Sequence, residues 1–213
     1  MKHTPYASAL LATTLCLGLA ATGTARADAI SDFYKGKRMT MLIGLSTGGA
    51  YDRYARLTAR HLGRFIPGNP SITPRNMTGG GSLVMANFLY NVAPQDGTQI
   101  GAPNRAIPTE PLVNGAESKA KFEPLKMHWI GSLTRETSLG VVWHTAGIKT
   151  YQDLYTKEFV AGGTGGGSDS VTVGYMFRNL LGMKIRMIVG YPGGNEINLA
   201  MQRGEVMGRV TNS

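Results

Sequence analysis

The chain has 213 residues, of which 29 are glycine, 10 are proline and one is cysteine, and it carries a formal net charge of +9. Its hydrophobic fraction of 42% suffices for a packed core and excludes a wholly disordered chain. A single cysteine excludes a disulfide framework and a cysteine-based metal cluster. The histidines are scattered and form no metal-binding motif, so we expect no metal site, and we expect no cofactor. Glycine is roughly twice as frequent as in an average protein, and its placement is the first feature to explain.

The first 27 residues have the pattern of a cleaved secretory signal. Lys2 gives a weakly positive start, residues 7–21 form a stretch of small and apolar residues, and Ala25-Arg26-Ala27 resembles a cleavage site. The apolar stretch is shorter than the roughly 20 residues that span a bilayer. We therefore predict cleavage after Ala27, which removes Cys16, and a periplasmic location for the mature chain.

In the first half of the chain, an apolar run is followed by a glycine loop and then by a segment with helical periodicity, and this order recurs. Strands are predicted at 38–45, 71–77 and 98–104, and helices from Tyr51 to Arg64 and from after Ser82 to about Asn91. On the first helix one side is predicted to be apolar, and it comprises Tyr51, Tyr54, Ala55, Ala59, Leu62 and Phe65.

The opposite side of that helix carries four arginines, which we call the arginine stripe: Arg53, Arg56, Arg60 and Arg64. A row of arginines can bind nucleic acid or acidic lipid. An exported protein has little occasion to meet nucleic acid, so we interpret the stripe as a solvated outer face and expect no nucleic-acid partner.

The same alternation returns after about residue 115. Strands are predicted at 128–133, 139–144, 158–162, 184–191 and 205–210, with helices ending near Leu181 and Arg203. Thr150 and Asp153 have the spacing of a capping box that opens a short helix. Strands that alternate with helices predict an α/β fold with a mostly parallel sheet.

About half of the glycines fall at four strand-to-helix turns. They are Gly44, Gly48 and Gly49; Gly79, Gly80 and Gly81; Gly162, Gly163, Gly165, Gly166 and Gly167; and Gly190, Gly193 and Gly194. A helix N-terminus has free N–H groups and a partial positive charge, and adjacent glycines let an anion approach the backbone. Glycine also simply permits tight turns, but four such loops favour an anion-binding edge.

Two catalytic or nucleotide-binding interpretations compete with this one. Residues 44–48 match G-x-S-x-G, the nucleophile elbow of α/β-hydrolases, with Ser46 as nucleophile and His61, His128 and His144 downstream. The elbow follows only one strand, and the pattern is common in glycine-rich loops. A P-loop is absent, and Gly163-Thr164-Gly165 lacks the third glycine of a dinucleotide fingerprint.

The four loops together resemble one family, the tripartite tricarboxylate transporter receptors, also called Bug or TctC proteins. The resemblance rests on four segments in order: GLSTGGAYDRYARLTARHLG (44–63), NMTGGGSLVMANFLYNVAPQDGTQIG (76–101), GGTGGGSDS (162–170) and GYPGGNEINLAMQRGEV (190–206). It extends from about residue 38 to residue 210.

The resemblance implies a periplasmic-binding-protein type II (Venus flytrap) fold with two lobes. Residues 28–125 would form lobe 1 and residues 126–213 would form lobe 2. Such a protein is no enzyme, needs no cofactor, acts as a monomer and delivers a small carboxylate to the membrane permease of a tripartite transporter. Chains of the family continue beyond this ending, so the second lobe and the return to the first lobe are expected to be incomplete.

The resemblance also implies a set of ligand-binding residues, in which backbone N–H groups and hydroxyls hold the carboxylate. Carried over, they are Thr47, Gly48, Gly49, Tyr51, Asp52, Gly80, Gly81, Ser82, Asn104, Arg105, Thr164, Gly165 and Ser168. Asp52 is expected to cap its helix rather than to meet an anion. A secreted serine hydrolase using Ser46, or a non-functional truncated remnant, stays open as an alternative.

Overall fold

A computed structural model describes residues 24–211. Most of the predicted signal peptide, residues 1–23, therefore lies outside the described residues. The first element is a helix that the sequence analysis did not predict, α1 (Thr24–Tyr34). Tyr34 at its end donates its hydroxyl to the Gly97 carbonyl at 3.2 Å, which ties the helix to the loop before the third strand.

The first sheet has three parallel strands in the order β2-β1-β3. Its strands are β1 (Arg38–Ile43), β2 (Ser71–Asn76) and β3 (Gln99–Ala102), and its helices are α2 (Ala50–Leu62) and α3 (Leu83–Asn91). Ala55 and Ala59 of α2 pack against Met41 and Ile43 of β1. Small side chains on the inner face of α2 let the helix lie close to the sheet.

The second sheet has the strand order β4-β7-β5-β6, with only β4 antiparallel to its neighbour. Its strands are β4 (Val141–Val142), β5 (Phe159–Gly163), β6 (Ile185–Val189) and β7 (Gly208–Arg209). Two helices follow β5 and β6, α5 (Asp169–Leu181) and α6 (Gly194–Gln202). A short helix, α4 (Glu110–Asn114), lies before the crossing between the sheets. We call the elements around each sheet the first and second lobes.

The predicted α/β fold with mostly parallel strands is confirmed, and so is the capping box that opens the 3-10 helix Tyr151–Tyr155. Two of the finer predictions are wrong. Residues 128–133 form no strand, because this exposed segment has no neighbouring strand within residues 24–211. Tyr54 and Phe65 do not belong to a buried apolar side, since Tyr54 is 39% exposed on α2 and Phe65 is 71% exposed in the 3-10 helix Gly63–Phe65 that follows it.

None of the helices within residues 24–211 is long and apolar enough to cross a membrane.

Candidate functional site

The four glycine loops meet in two pairs, each pair joining the two lobes. We number them in chain order as the first loop (44–49), the second loop (77–82), the third loop (164–168) and the fourth loop (190–193). All four follow the carboxyl ends of parallel strands, which is where ligands bind in α/β sheets.

The first loop contacts the fourth loop and the helix that follows it. The Ser46 N–H donates to the Pro192 carbonyl at 3.1 Å, and the Ser46 hydroxyl donates to Glu196 Oε2 at 2.7 Å. Gly193 packs so closely on Ser46 that a methyl group on Gly193 would overlap the hydroxyl. This contact is therefore specific to glycine at position 193.

The second loop contacts the third loop through backbone. A methyl group on Gly165 would overlap the backbone of Gly80 and Gly81, and one on Gly81 would lie 2.8 Å from the Ser168 Cβ. Gly80 and Gly81 both have positive φ, +59° and +68°. The two loops can thus touch only because glycine stands at these positions.

Two hydroxyls lie in the third loop, and they differ in their partners. Ser168 is fully buried and donates its hydroxyl to the Gly165 carbonyl at 2.8 Å. Thr164 is also buried, and its Oγ1 has no hydrogen-bond partner among the described residues. An unpaired buried hydroxyl is unfavourable, so Thr164 is a position where a ligand atom or water would be stabilising.

The end of β3 is joined to the second lobe by an ion pair. Asp169, the first residue of α5, accepts Asn104 Nδ2 at 2.8 Å and Arg105 Nε at 2.7 Å. The Asn104 N–H donates to Ser82 Oγ at 2.9 Å. Asn104 and Ser82 are fully buried. Asn104 and Arg105 therefore join the lobes through Asp169, and Ser82 fixes the backbone of Asn104 from within the first lobe.

Tyr51 lies beside this ion pair. Its hydroxyl oxygen accepts the Arg105 N–H at 3.2 Å. Burial, and after it the negative charge of Asp169, raises the pKa of Tyr51 to about 12. The phenol is therefore neutral at any physiological pH and can act only as a hydrogen-bonding group.

Asp52 is a buried carboxylate that bonds to the backbone of the first loop. It is 2% exposed and accepts the Gly48 N–H at 2.8 Å, Asn76 Nδ2 at 2.9 Å and Arg56 Nε at 2.9 Å. Burial alone would raise the pKa of Asp52, but the hydrogen bonds from Arg56, Gly48 and Asn76 outweigh it and hold the pKa below its usual value.

Thr47, by contrast, is exposed and donates its hydroxyl to Asn76 Oδ1 at 3.2 Å. The structure thus brings Thr47 and Gly48 of the first loop together around Asp52 and Asn76.

An open cleft of about 190 Å³ lies between the N-termini of α2 and α6. It is lined by Gly48, Gly49, Ala50, Arg53, Gly194, Asn195, Asn198 and Arg209. Gly49 and Gly193 are the residues just before the two helices, so both positive helix ends face the same space. Two arginines add formal positive charge, and such a cleft suits an anion.

Sequence reasoning missed the acidic residues that join the lobes. Asp169 and Glu196 lie in the first turns of α5 and α6, as Asp52 does in α2. An acidic residue in the first turn after each of three glycine loops was a visible pattern that could have identified them. No local sequence pattern marked Arg209 as a site residue. It lies at the cleft because β7, which contains it, pairs with β4 and β5.

The proposed hydrolase arrangement has no support in the contacts of Ser46. Its hydroxyl donates to a carboxylate, Glu196, whereas a serine nucleophile donates to a histidine base. His61 lies in the last turn of α2, at the opposite end of that helix from the first loop. Within the described residues there is also no cluster of three or more His, Cys, Asp or Glu side chains that could hold a metal ion.

No protein-family model and no curated protein matches the sequence. Solved structures do match. MatC of Rhodopseudomonas palustris with bound malate has a TM-score of 0.70 at 19% identity, covering 82% of this chain and 60% of its own. Rpa4515 of R. palustris with adipate has a TM-score of 0.62 at 19% identity, covering 82% and 59%.

The periplasmic binding protein BugD gives a TM-score of 0.62 at 17% identity, with 83% of this chain and 59% of BugD covered. The chain thus spans about 60% of the length of the solved structures it matches. The described part of the chain therefore has the same fold as these solved structures, one of which is the periplasmic binding protein BugD.

Proposed function

We propose that this chain is a periplasmic solute-binding protein that captures a small carboxylate and serves the permease of a tripartite tricarboxylate-type transporter. The observation that carries the proposal is the cleft between α2 and α6, where two helix N-termini and two arginines converge. The malate and adipate bound in structures of the same fold support a dicarboxylate as the ligand.

The cleft offers two kinds of donor to a carboxylate. Free N–H groups at Gly49, Ala50, Gly194 and Asn195 can donate to carboxylate oxygens, as helix N-termini commonly do. Arg53 and Arg209 can neutralise a second negative charge. Burial lowers the pKa of Arg209, so an anion that pairs with it offsets a desolvation cost that the protein already bears.

The remaining predicted site residues belong to the contact between the lobes. Six of them pack or bond across it, and they are Gly80, Gly81, Asn104, Arg105, Gly165 and Ser168. Ser82 accepts the N–H of Asn104 within the first lobe. We propose that they act in closure, in which the lobes come together around the ligand. Thr164 does not line the cleft, and we propose that its buried, unpaired hydroxyl gains a hydrogen-bond partner when the lobes close.

Carboxylates are expected to stabilise the protein against heat. A ligand at about 100 times its Kd adds about 2.7 kcal/mol, which corresponds to a rise in Tm of about 5–10 °C for a protein of this size. We would measure Tm with malate, adipate and succinate, and with succinamide as the uncharged counterpart of succinate. A rise with the acids and none with succinamide supports the proposal, whereas no rise with any acid contradicts it.

Replacing Ser46 with alanine separates the binding role from the hydrolase alternative. The change removes the 2.7 Å bond to Glu196, and we expect a loss of about 1 kcal/mol in closure, or roughly fivefold weaker carboxylate binding. Ser71→Ala, at an exposed position of β2, is the matched control. Ester hydrolysis by the wild-type chain that disappears in Ser46→Ala would overturn the binding interpretation in favour of a serine nucleophile.

A further inference from the structure

The arginine stripe lies on the exposed side of the first lobe and reaches the cleft at one end. Its first member, Arg53, lines the cleft and donates Nε to the Gly48 carbonyl at 2.9 Å. Arg60 follows on the same exposed side of α2, about 10 Å from Arg53 at the usual helical rise, and Arg64 lies just beyond the end of α2, in the 3-10 helix Gly63–Phe65. The stripe therefore leads from the outer end of the first lobe to the mouth of the cleft.

The charge along the stripe is mostly not neutralised. Arg56 is paired with Asp52, but within residues 24–211 no ion pair joins Arg53, Arg60 or Arg64 to a carboxylate. The Arg64 guanidinium lies 4.9 Å from the centre of the Phe65 ring. The ring carries no formal charge, so this contact does not neutralise the arginine. The only acidic residue of α2 is the buried Asp52.

We propose that Arg60 and Arg64 form an electrostatic guide that accelerates the association of dicarboxylates with the cleft. This inference rests on the proposed function of the cleft. Rows of like charge beside a binding cleft raise the local concentration of oppositely charged ligands and their association rates, and salt screens the effect. The guide acts on the approach of the ligand, because neither arginine lines the cleft.

The guide predicts a change in the association rate with little change in the dissociation rate. The test compares wild type with the double variant Arg60→Gln/Arg64→Gln, by stopped-flow tryptophan fluorescence with malate, between about 10 mM and about 500 mM salt. The association rate should fall about fivefold at low salt and by less than about twofold at high salt, where Coulomb attraction at these distances is screened.

A matched control removes the same charge elsewhere. Arg178→Gln/Arg186→Gln changes the end of α5 and the start of β6, away from the strand ends that face the cleft, and it should leave the association rate close to wild type. The guide is overturned if malate binds with equal association rates in wild type and the stripe variant, or if the control slows binding equally. If wild type binds neither malate nor adipate, the proposed function fails, and the guide fails with it.

Discussion

Replacing Gly165 with alanine is expected to keep the second and third loops apart and to weaken carboxylate binding by about tenfold or more. The added methyl group would overlap the backbone of Gly80 and Gly81, and backbone cannot move aside as a flexible side chain can. Overpacking of this kind costs roughly 1–3 kcal/mol. In the proposed closure this contact forms only when the lobes come together, so the substitution should disfavour the closed arrangement and lower the apparent affinity.

Gly166 provides a closely matched control for this substitution. It is the next residue of the same loop, and a methyl group built on it meets nothing within 4 Å. Gly166→Ala should therefore bind as wild type does, while small-angle X-ray scattering should show a larger radius of gyration for Gly165→Ala alone. Equal affinity and equal dimensions for both variants would contradict the role of this contact in closure.

Replacing Asp52 with asparagine should lower the free energy of unfolding by about 2–3 kcal/mol at neutral pH. The buried carboxylate accepts hydrogen bonds from Gly48, Asn76 and Arg56, and an amide NH₂ group would face donors instead of accepting from them. Breaking a buried pair commonly costs about 3–5 kcal/mol. We expect less here, because Arg56 is 39% exposed and water can replace part of its pairing.

The effect of Asp52→Asn should depend on pH with a definite sign. The pKa of Asp52 in the folded protein lies below its ordinary value of 3.8. The stabilisation is therefore complete above about pH 4 and is lost as the pH falls through the lowered pKa. Urea unfolding from pH 7 to pH 3 measures this directly. Asp32→Asn on the exposed side of α1 is the control, and a difference from wild type that persists undiminished at pH 3 would contradict the account.

Local sequence patterns predicted most of the first lobe and the core of the second. Apolar runs such as 38–45 and 158–162 could be placed because each is followed by glycines and a helical period, and both became strands, β1 and β5. Residues 128–133 have a similar apolar character but form no strand. A strand also needs a neighbouring strand with which to form hydrogen bonds. The sequence of the segment alone does not show whether such a neighbour exists.

The sequence predicted the positions of the glycine loops, but it did not predict which loops contact each other across the two lobes. Glycines at 48, 80 and 165 identified strand-to-helix turns, since their spacing is local. The pairing of the first loop with the fourth, and of the second with the third, depends on how two lobes face each other. Glu196 and Arg209 became relevant only through that arrangement, because Glu196 is 150 residues from its partner Ser46.

A crystal structure of the chain grown with malate would show directly whether the cleft binds a carboxylate. We expect a carboxylate between the N-termini of α2 and α6, within hydrogen-bond distance of backbone N–H groups at Gly49 or Ala50 and at Gly194 or Asn195, with Arg209 or Arg53 on its other charge. Malate bound at another place, or a cleft holding only water at a malate concentration that raises the Tm, would contradict it.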